Sequence, residues 1–410
     1  MLQAGDHLHL PVMEDTKNMK SLLLFDMLSA QPVENTKFHG GGEYIKRIFY
    51  YMAEEYADQL DITVMYNVDA FLDEYLKAII SKYEIKILDI KSYADVQEQM
   101  NKKHYDVFYS GMPYFYDKII FPKETECVGT FHGFRILEKY TDGAEFSYYS
   151  GIRFFKPIIK HIICREKMKR IQKWYEAGLN NFNRVICDSN HTKYALLNFF
   201  PTVEQDKIKV FYAPAKHVPE NESAVNEEIH VYGKYILLIG VDRWEKNAVR
   251  AIAAIEGLFS NNQLQDYKVV TVGGLPEKIQ KKLRHRERYI IHGYVEPQFL
   301  QSLYKYCDFF IYPSLNEGFG LPPLEAMRYG KTCIVSAVCS LPEICGDAVY
   351  YVNPYDVNEI RNRILNAVYE KIDKKQIVDQ YSKIYEKQEK DLKELVKYII
   401  LGASYGAAAN

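Results

Sequence analysis

Two glutamates eight residues apart, Glu317 and Glu325, bracket the run Gly318, Phe319, Gly320, Leu321, Pro322, Pro323 and Leu324. Spacing alone carries little, because Glu220/Glu228 and Glu386/Glu394 repeat it in the same chain. The residues in between decide the reading. Glycines at 318 and 320 let the backbone approach a ligand where a Cβ would collide, and the proline pair pre-sets the first turn of a helix. Unpaired N–H groups and the positive helix end, equivalent to roughly half a charge, then face whatever lies over the loop. The segment reads as a phosphate cradle with a carboxylate on each side. Glu325, on the first turns of the helix, can accept hydrogen bonds from vicinal hydroxyls such as those of ribose, and Glu317 can reach a second polyol.

A second chemical segment runs through Arg243, Trp244, Glu245, Lys246 and Asn247, directly after the strand-like Leu238, Ile239 and Gly240. Arg243 and Lys246 stand three apart, so both can aim at one anion beyond the strand end. A diphosphate leaving group needs such cations. No Asp-x-Asp triplet occurs in the chain, so the usual carboxylate grip on a diphosphate-bound metal is missing. Fixed cations and backbone amides must do the neutralising, and no metal is expected.

These segments require a frame of strands. In the first half, short apolar runs at 21–28, 62–66, 85–90, 105–109, 126–131, 184–187 and 208–212 alternate with amphipathic stretches, which predicts βαβ units and a parallel sheet. A polar stretch at 217–230, with Pro219 and four glutamates, reads as a linker. The pattern restarts with strands at 235–240, 267–272, 289–291, 308–312, 332–336 and 348–352. Helices are predicted at 245–259, 277–284, 297–306, 322–328 and 356–370, and 374–400 reads as one or two charged helices. The fold class is therefore α/β, with two facing, doubly wound, Rossmann-like parallel-sheet domains. Ligands of such sheets bind beyond the carboxyl ends of the strands, which places a cleft between them.

The segment from Glu317 to Met327, with Arg243, Lys246 and the stretch Ser340, Leu341, Pro342, Glu343 to Asp347, resembles family 4 of the retaining glycosyltransferases, in particular its mannosyltransferase-like members, in which Pro322 and Pro323 have counterparts. The resemblance implies a GT-B fold with an acceptor-side domain at 20–216, a nucleotide-sugar-binding domain at 230–373, and helices at 374–400 packing back on the first domain. It implies that Glu325 binds the nucleotide ribose and Glu317 the transferred sugar, while Gly318, Phe319, Gly320 and Leu321 line the diphosphate and sugar. Arg243 and Lys246 would hold the diphosphate. In the first half, Gly41 and Gly42 resemble the glycine loop that approaches donor or acceptor, and His132 stands where the family places a cleft histidine. Tyr294 and Val295 are candidates to face the base. The family's donor is a nucleotide-diphosphate sugar and its acceptor a glycan or lipid-linked glycan, used in cell-surface polysaccharide biosynthesis with no cofactor and no metal. A Walker A reading of Gly330, Lys331 and Thr332 fails because Glu325 stands where glycine is required, and no dinucleotide fingerprint is present. Two other classes remain open: a sugar-nucleotide epimerase or hydrolase on the same fold, and a non-catalytic binding subunit.

Composition narrows the partners. Across 410 residues, Lys+Arg 52 against Asp+Glu 54 leaves a formal charge of −2, which excludes a polycation built for nucleic acid. One segment departs from that balance. Residues 153–174 carry eight Lys/Arg against one Glu, interleaved with Phe154, Phe155, Ile158, Ile159, Ile162, Ile163, Ile171 and Trp174. Such a basic amphipathic stretch suits an anionic membrane surface. Seven scattered cysteines without a Cys-x-x-Cys pair suit a reducing cytosol, and Cys333, Cys339 and Cys345, six apart with no His among them, do not read as a metal site. No leader or spanning segment is expected, 1–19 reads as a disordered lead and 402–410 as a frayed end. The expected location is cytoplasmic, peripheral on the inner face of the membrane.

Overall fold

The computed structural model describes residues 20–32, 39–216 and 227–401. The expected disordered lead, the segment 217–226 of the expected linker and the expected frayed end lie outside the described residues. Seven strands, β1 (Ser21–Asp26), β2 (Leu60–Tyr66), β3 (Lys86–Asp89), β4 (Val107–Ser110), β5 (Glu126–Phe131), β6 (Arg184–Cys187) and β7 (Ile208–Val210), form a first sheet in the order β3-β2-β1-β4-β5-β6-β7. Six more, β8 (Tyr235–Ile239), β9 (Lys268–Val272), β10 (Tyr289–His292), β11 (Phe309–Tyr312), β12 (Thr332–Ser336) and β13 (Tyr350–Val352), form a second in the order β10-β9-β8-β11-β12-β13. Every pairing is parallel. Helices cover both faces, so central strands such as β4 and β11 are buried along their whole length and read in sequence as continuous apolar runs.

The strand orders locate the working loops. Each sheet reverses its winding at one place, between β1 and β4 in the first and between β8 and β11 in the second. The loop after β8 carries Arg243 and Lys246, and the loop after β11 carries Glu317 to Gly320. Both chemical segments therefore meet at the switch point of the second sheet, where the splayed loops leave a crevice.

The helix predicted at 245–259 does not start where its pattern starts. A 3-10 turn covers Trp244–Lys246, Asn247 takes a left-handed φ of 60°, and the α-helix begins at Ala248. The break has a cause. Asn247 is fully buried, and its Nδ2 donates to the carbonyls of Pro313 (3.0 Å) and Pro354 (2.7 Å), tying the two switch-point loops together. Asn tolerates the left-handed region better than other Cβ-bearing residues. Asn247→Ala leaves two buried carbonyls unpaired, and we expect a loss of roughly 2–4 kcal/mol in denaturant unfolding. An unchanged midpoint would contradict that role.

The helix predicted at 277–284 is shorter, Glu277–Gln280. The Arg284 N–H and His285 Nδ1 turn to Glu256 Oε2 at 3.0 and 3.1 Å, which draws the chain out of the helical path. The tail is a single helix, Lys374–Leu401. It leaves the second domain with Gln376 and Gln380 bonded to the Asp347 and Ile344 carbonyls. It then docks on the first, where Asp391 accepts from Tyr212 N (2.8 Å), Glu389 pairs with Arg47 (3.3 Å) and Arg184 bonds the Tyr398 and Ile399 carbonyls.

Candidate functional site

At the switch point of the second sheet, Lys246 and Glu317 form one buried unit. Lys246 Nζ lies 2.6 Å from Glu317 Oε1 and 2.5 Å from the Tyr312 hydroxyl, and both charged side chains are only 11% exposed. Burial opposes the charged carboxylate of Glu317, but Lys246, with Ser314 and Tyr312, more than offsets it and holds the group below the ordinary carboxylate range. Burial lowers the Lys246 ammonium, and Glu317 opposes that shift, so each charge is held by the other in a low-dielectric pocket where its field acts strongly on a nearby charge. Arg243 is held beside the pair, with Nε and Nη2 on Glu245 Oε1 at 2.9 and 2.6 Å and within the field of Glu317. Glu245 is buried and also holds Arg135 from the first domain.

The loop after β11 is clamped from two directions. Ser340 Oγ donates to the carbonyls of Glu317 (3.0 Å) and Phe319 (2.8 Å), which gives the 340–347 stretch a direct role in shaping the loop. Across the cleft, Ser189 Oγ and Thr192 Oγ1 donate to the Gly318 carbonyl at 2.6 and 3.4 Å. A Cβ built on Gly318 would overlap the His132 carbonyl oxygen, so the glycine is required by the close approach of the two domains. Gly320 takes φ 104° at the start of the helix Leu321–Met327. Phe319 is buried against Tyr212, ring centroids 5.4 Å apart, so only its main chain can face a ligand.

The first domain supplies the opposite wall. His132 Nδ1 lies 3.3 Å from Asp188 Oδ2, which leaves Nε2 for another partner. That Nε2 is buried and has no hydrogen-bond partner among the described residues. Tyr44 packs edge-on against the same ring at 4.5 Å. Gly41 and Gly42 occupy the first turn of the helix Gly40–Tyr56, where the His39 Nδ1 accepts from Gly42 N at 3.0 Å. Burial lowers the His39 imidazole, which keeps it neutral and able to accept. A Cβ on Gly41 would sit 2.5 Å from Met112 Cε and 3.8 Å from the His132 ring, so the glycine pair adjoins the histidine.

Glu325 stands apart from Glu317. Its carboxylate pairs with Lys216 at 2.5 Å. With Leu321, Lys216, Arg47 and Arg328 it lines a cavity of about 460 Å³. Tyr294 lies exposed after β10 and Val295 is half-buried behind it. Sequence reasoning missed Lys216, Tyr312, Glu245, Arg135 and Asp188, each defined by a partner distant in the chain. It also missed what Glu343 does: its carboxylate accepts from Asn190 N (3.0 Å), Asn190 Nδ2 (2.8 Å) and His191 N (3.2 Å), capping the helix Asn190–Phe199 from the opposite domain. Cys339 of the second domain also meets His191 and Glu138 of the first, with one ligand atom of each within 4.8 Å of the others.

Residues 220–394 match the family described as Glycosyl transferases group 1. This segment is a glycosyl transferases group 1 domain. The group 1 domain contains every chemical residue of the second sheet named above. Among relatives, the chain is 46% identical over 218 residues to the O-antigen chain mannosyltransferase B of Escherichia coli, covering 50% of this chain and 56% of that protein. It is 33% identical over 182 residues to the serotype-specific mannosyltransferase WbdA of Escherichia coli, covering 42% of this chain and 22% of that protein. The chain thus spans between about a fifth and about half of the length of these relatives. The Anabaena HepE structure in complex with UDP-glucose superposes with a TM-score of 0.62 at 16% identity, over 92% of this chain and 97% of that one. That likeness extends beyond the group 1 domain to both sheets, and the fold is GT-B.

Proposed function

We propose that the chain is a retaining glycosyltransferase that moves a sugar, mannose by the measure of its relatives, from a nucleoside-diphosphate sugar to a glycan or lipid-linked acceptor in the assembly of a cell-surface polysaccharide. The observation that carries the reading is the Lys246–Glu317 pair, buried at a switch point beneath a glycine loop that a histidine with a free Nε2 faces across the cleft. Lys246, Arg243 and the amides of the glycine loop stabilise charge growing on the departing diphosphate. Glu317 orients the sugar and keeps Lys246 charged. His132 Nε2 accepts from a sugar hydroxyl. The acceptor oxygen enters on the face the phosphate leaves, and that phosphate takes its proton, so no carboxylate acts as nucleophile and no metal is needed. Contact between the domains keeps water from the reacting centre.

Calorimetric titration of GDP, UDP, ADP and dTDP, each in EDTA, tests the donor assignment. One diphosphate binds, and Glu325→Ala weakens it about 10- to 100-fold, the worth of charged hydrogen bonds to a ribose at ~1.5–3 kcal/mol. Equal affinity in the variant would place the nucleotide elsewhere.

The acceptor side has its own geometry. A cavity of about 850 Å³ opens beside Arg243, lined by Arg135, Lys139, Lys160, Ile163 and Trp244 among others. A second cavity, of about 540 Å³, continues it along the helix Cys164–Asn180 past Lys167, Arg170 and Trp174. Cationic rims over apolar walls suit an amphiphilic anion. Next to this groove Ile152, Phe155, Ile159 and Ile162 lie exposed, Ile152 at 91%. No helix among the described residues is long and apolar enough to cross a membrane. We therefore read the face at 153–174 as a peripheral dock on an anionic bilayer, and the chain as a cytoplasmic protein on its inner face. Sedimentation with phosphatidylglycerol vesicles should fall steeply with salt, each contacting cation contributing ~1 kcal/mol. An absence of binding at low salt would remove the dock.

A further inference from the structure

Beside the donor loop the fold gathers three metal-ligating side chains that the proposed transfer does not use. Glu138 Oε1, His191 Nε2 and Cys339 Sγ all lie within 4.8 Å of one another. Two of them belong to the first domain and the third to the second, on the turn after β12, where Cys339 takes a left-handed φ of 53°. A thiol, an imidazole and a carboxylate form a borderline-soft donor set. It suits Zn²⁺ with one coordination position open, and it does not suit Mg²⁺ or Ca²⁺, which demand oxygen.

A fourth residue orients the set. Asn316 Nδ2 donates to Glu138 Oε2 at 2.9 Å and approaches Cys339 Sγ at 3.2 Å. The second carboxylate oxygen is thereby held, while Oε1 faces His191 Nε2 at 2.8 Å. Ligating carboxylates are commonly fixed by such an outer hydrogen bond. The His191 backbone is anchored as well, through its N–H to Glu343. The imidazole ring is therefore carried by a helix start that the opposite domain already grips.

We propose that Glu138, His191 and Cys339 bind a zinc ion that bridges the two domains and holds the cleft closed. The ion would take the place of the direct contact between His191 and Glu138. It is a clamp and not a catalytic metal, because its ligands are none of the donor-binding residues. The proposal stands independently of the donor reading, since its test contains neither donor nor acceptor.

The test is competition between the metal-stripped full-length protein and a chromophoric chelator for Zn²⁺ alone. The expected result is one zinc per chain with micromolar or tighter affinity, weakened at least tenfold in both Cys339→Ser and His191→Ala. Melting curves of the stripped variants establish that they fold. The Co²⁺-loaded protein should also show a thiolate-to-cobalt absorption in the near ultraviolet that Cys339→Ser lacks. No stoichiometric binding, or binding that both substitutions leave unchanged, would overturn the proposal.

Discussion

Gly318→Ala should lower kcat about 100-fold or more while moving the melting temperature by only a few degrees. The added Cβ meets the His132 carbonyl oxygen, which is backbone and cannot rotate away. The loop is also held at that spot by Ser189 and Thr192 through the Gly318 carbonyl. The strain is relieved only if the loop shifts or the domains part, and displacement of reacting groups by about 1 Å costs on the order of 100-fold. Beside the cluster that the two sheets share, each keeps a buried core of its own, so a loss of about 1 kcal/mol at the interface corresponds to roughly 2–4 °C. Steady-state kinetics and thermal melts together decide the matter. A kcat within twofold of the parent chain would show that the closed contact is not part of turnover, and a large fall in melting temperature would point to unfolding instead of misalignment.

Lys246→Ala is expected to cost about 100- to 1000-fold in kcat, the range seen when one preorganised electrostatic donor is removed. It carries a second penalty. Glu317 is left buried without its cation, and breaking one side of a buried pair destabilises by roughly 3–5 kcal/mol. Stability and catalysis separate in the double variant Lys246→Ala/Glu317→Gln. Removing the orphaned charge restores most of the unfolding free energy, and activity stays low because the diphosphate still lacks its lysine and the sugar its carboxylate. If the double variant regained activity to within tenfold, Lys246 would be a structural partner of Glu317 and nothing more.

The division between what was legible in sequence and what was not follows from the range of the forces involved. Strands such as β4 and β11 are visible because a parallel strand covered on both faces must be apolar at every position. The glycine and proline pattern at 318–323 is visible because turn and helix-start chemistry is local. Asn247 interrupts a good helical pattern because its partners are carbonyls at 313 and 354, which no periodicity announces. The same holds for Lys216 opposite Glu325, Arg135 on Glu245 and Glu343 at the start of the helix Asn190–Phe199. All three are cross-cleft or inter-domain pairs, fixed by how the two sheets meet and not by either sheet alone. Glu138 and His191 are separated by the β6 strand, and His191 and Cys339 by β7 and five of the six strands of the second sheet, so no sequence spacing could have joined them.

We propose that the cleft transfers a sugar from a nucleoside diphosphate with retention and without a catalytic metal. The most direct measurement is proton NMR of the chain, without added Mg²⁺ or Mn²⁺, with each candidate nucleotide sugar and a membrane extract carrying lipid-linked glycans. The account predicts that one donor is consumed, that its nucleoside diphosphate is released, and that the new glycosidic bond keeps the anomeric configuration of the donor. An inverted linkage, or turnover that appears only when Mg²⁺ or Mn²⁺ is added, would contradict it.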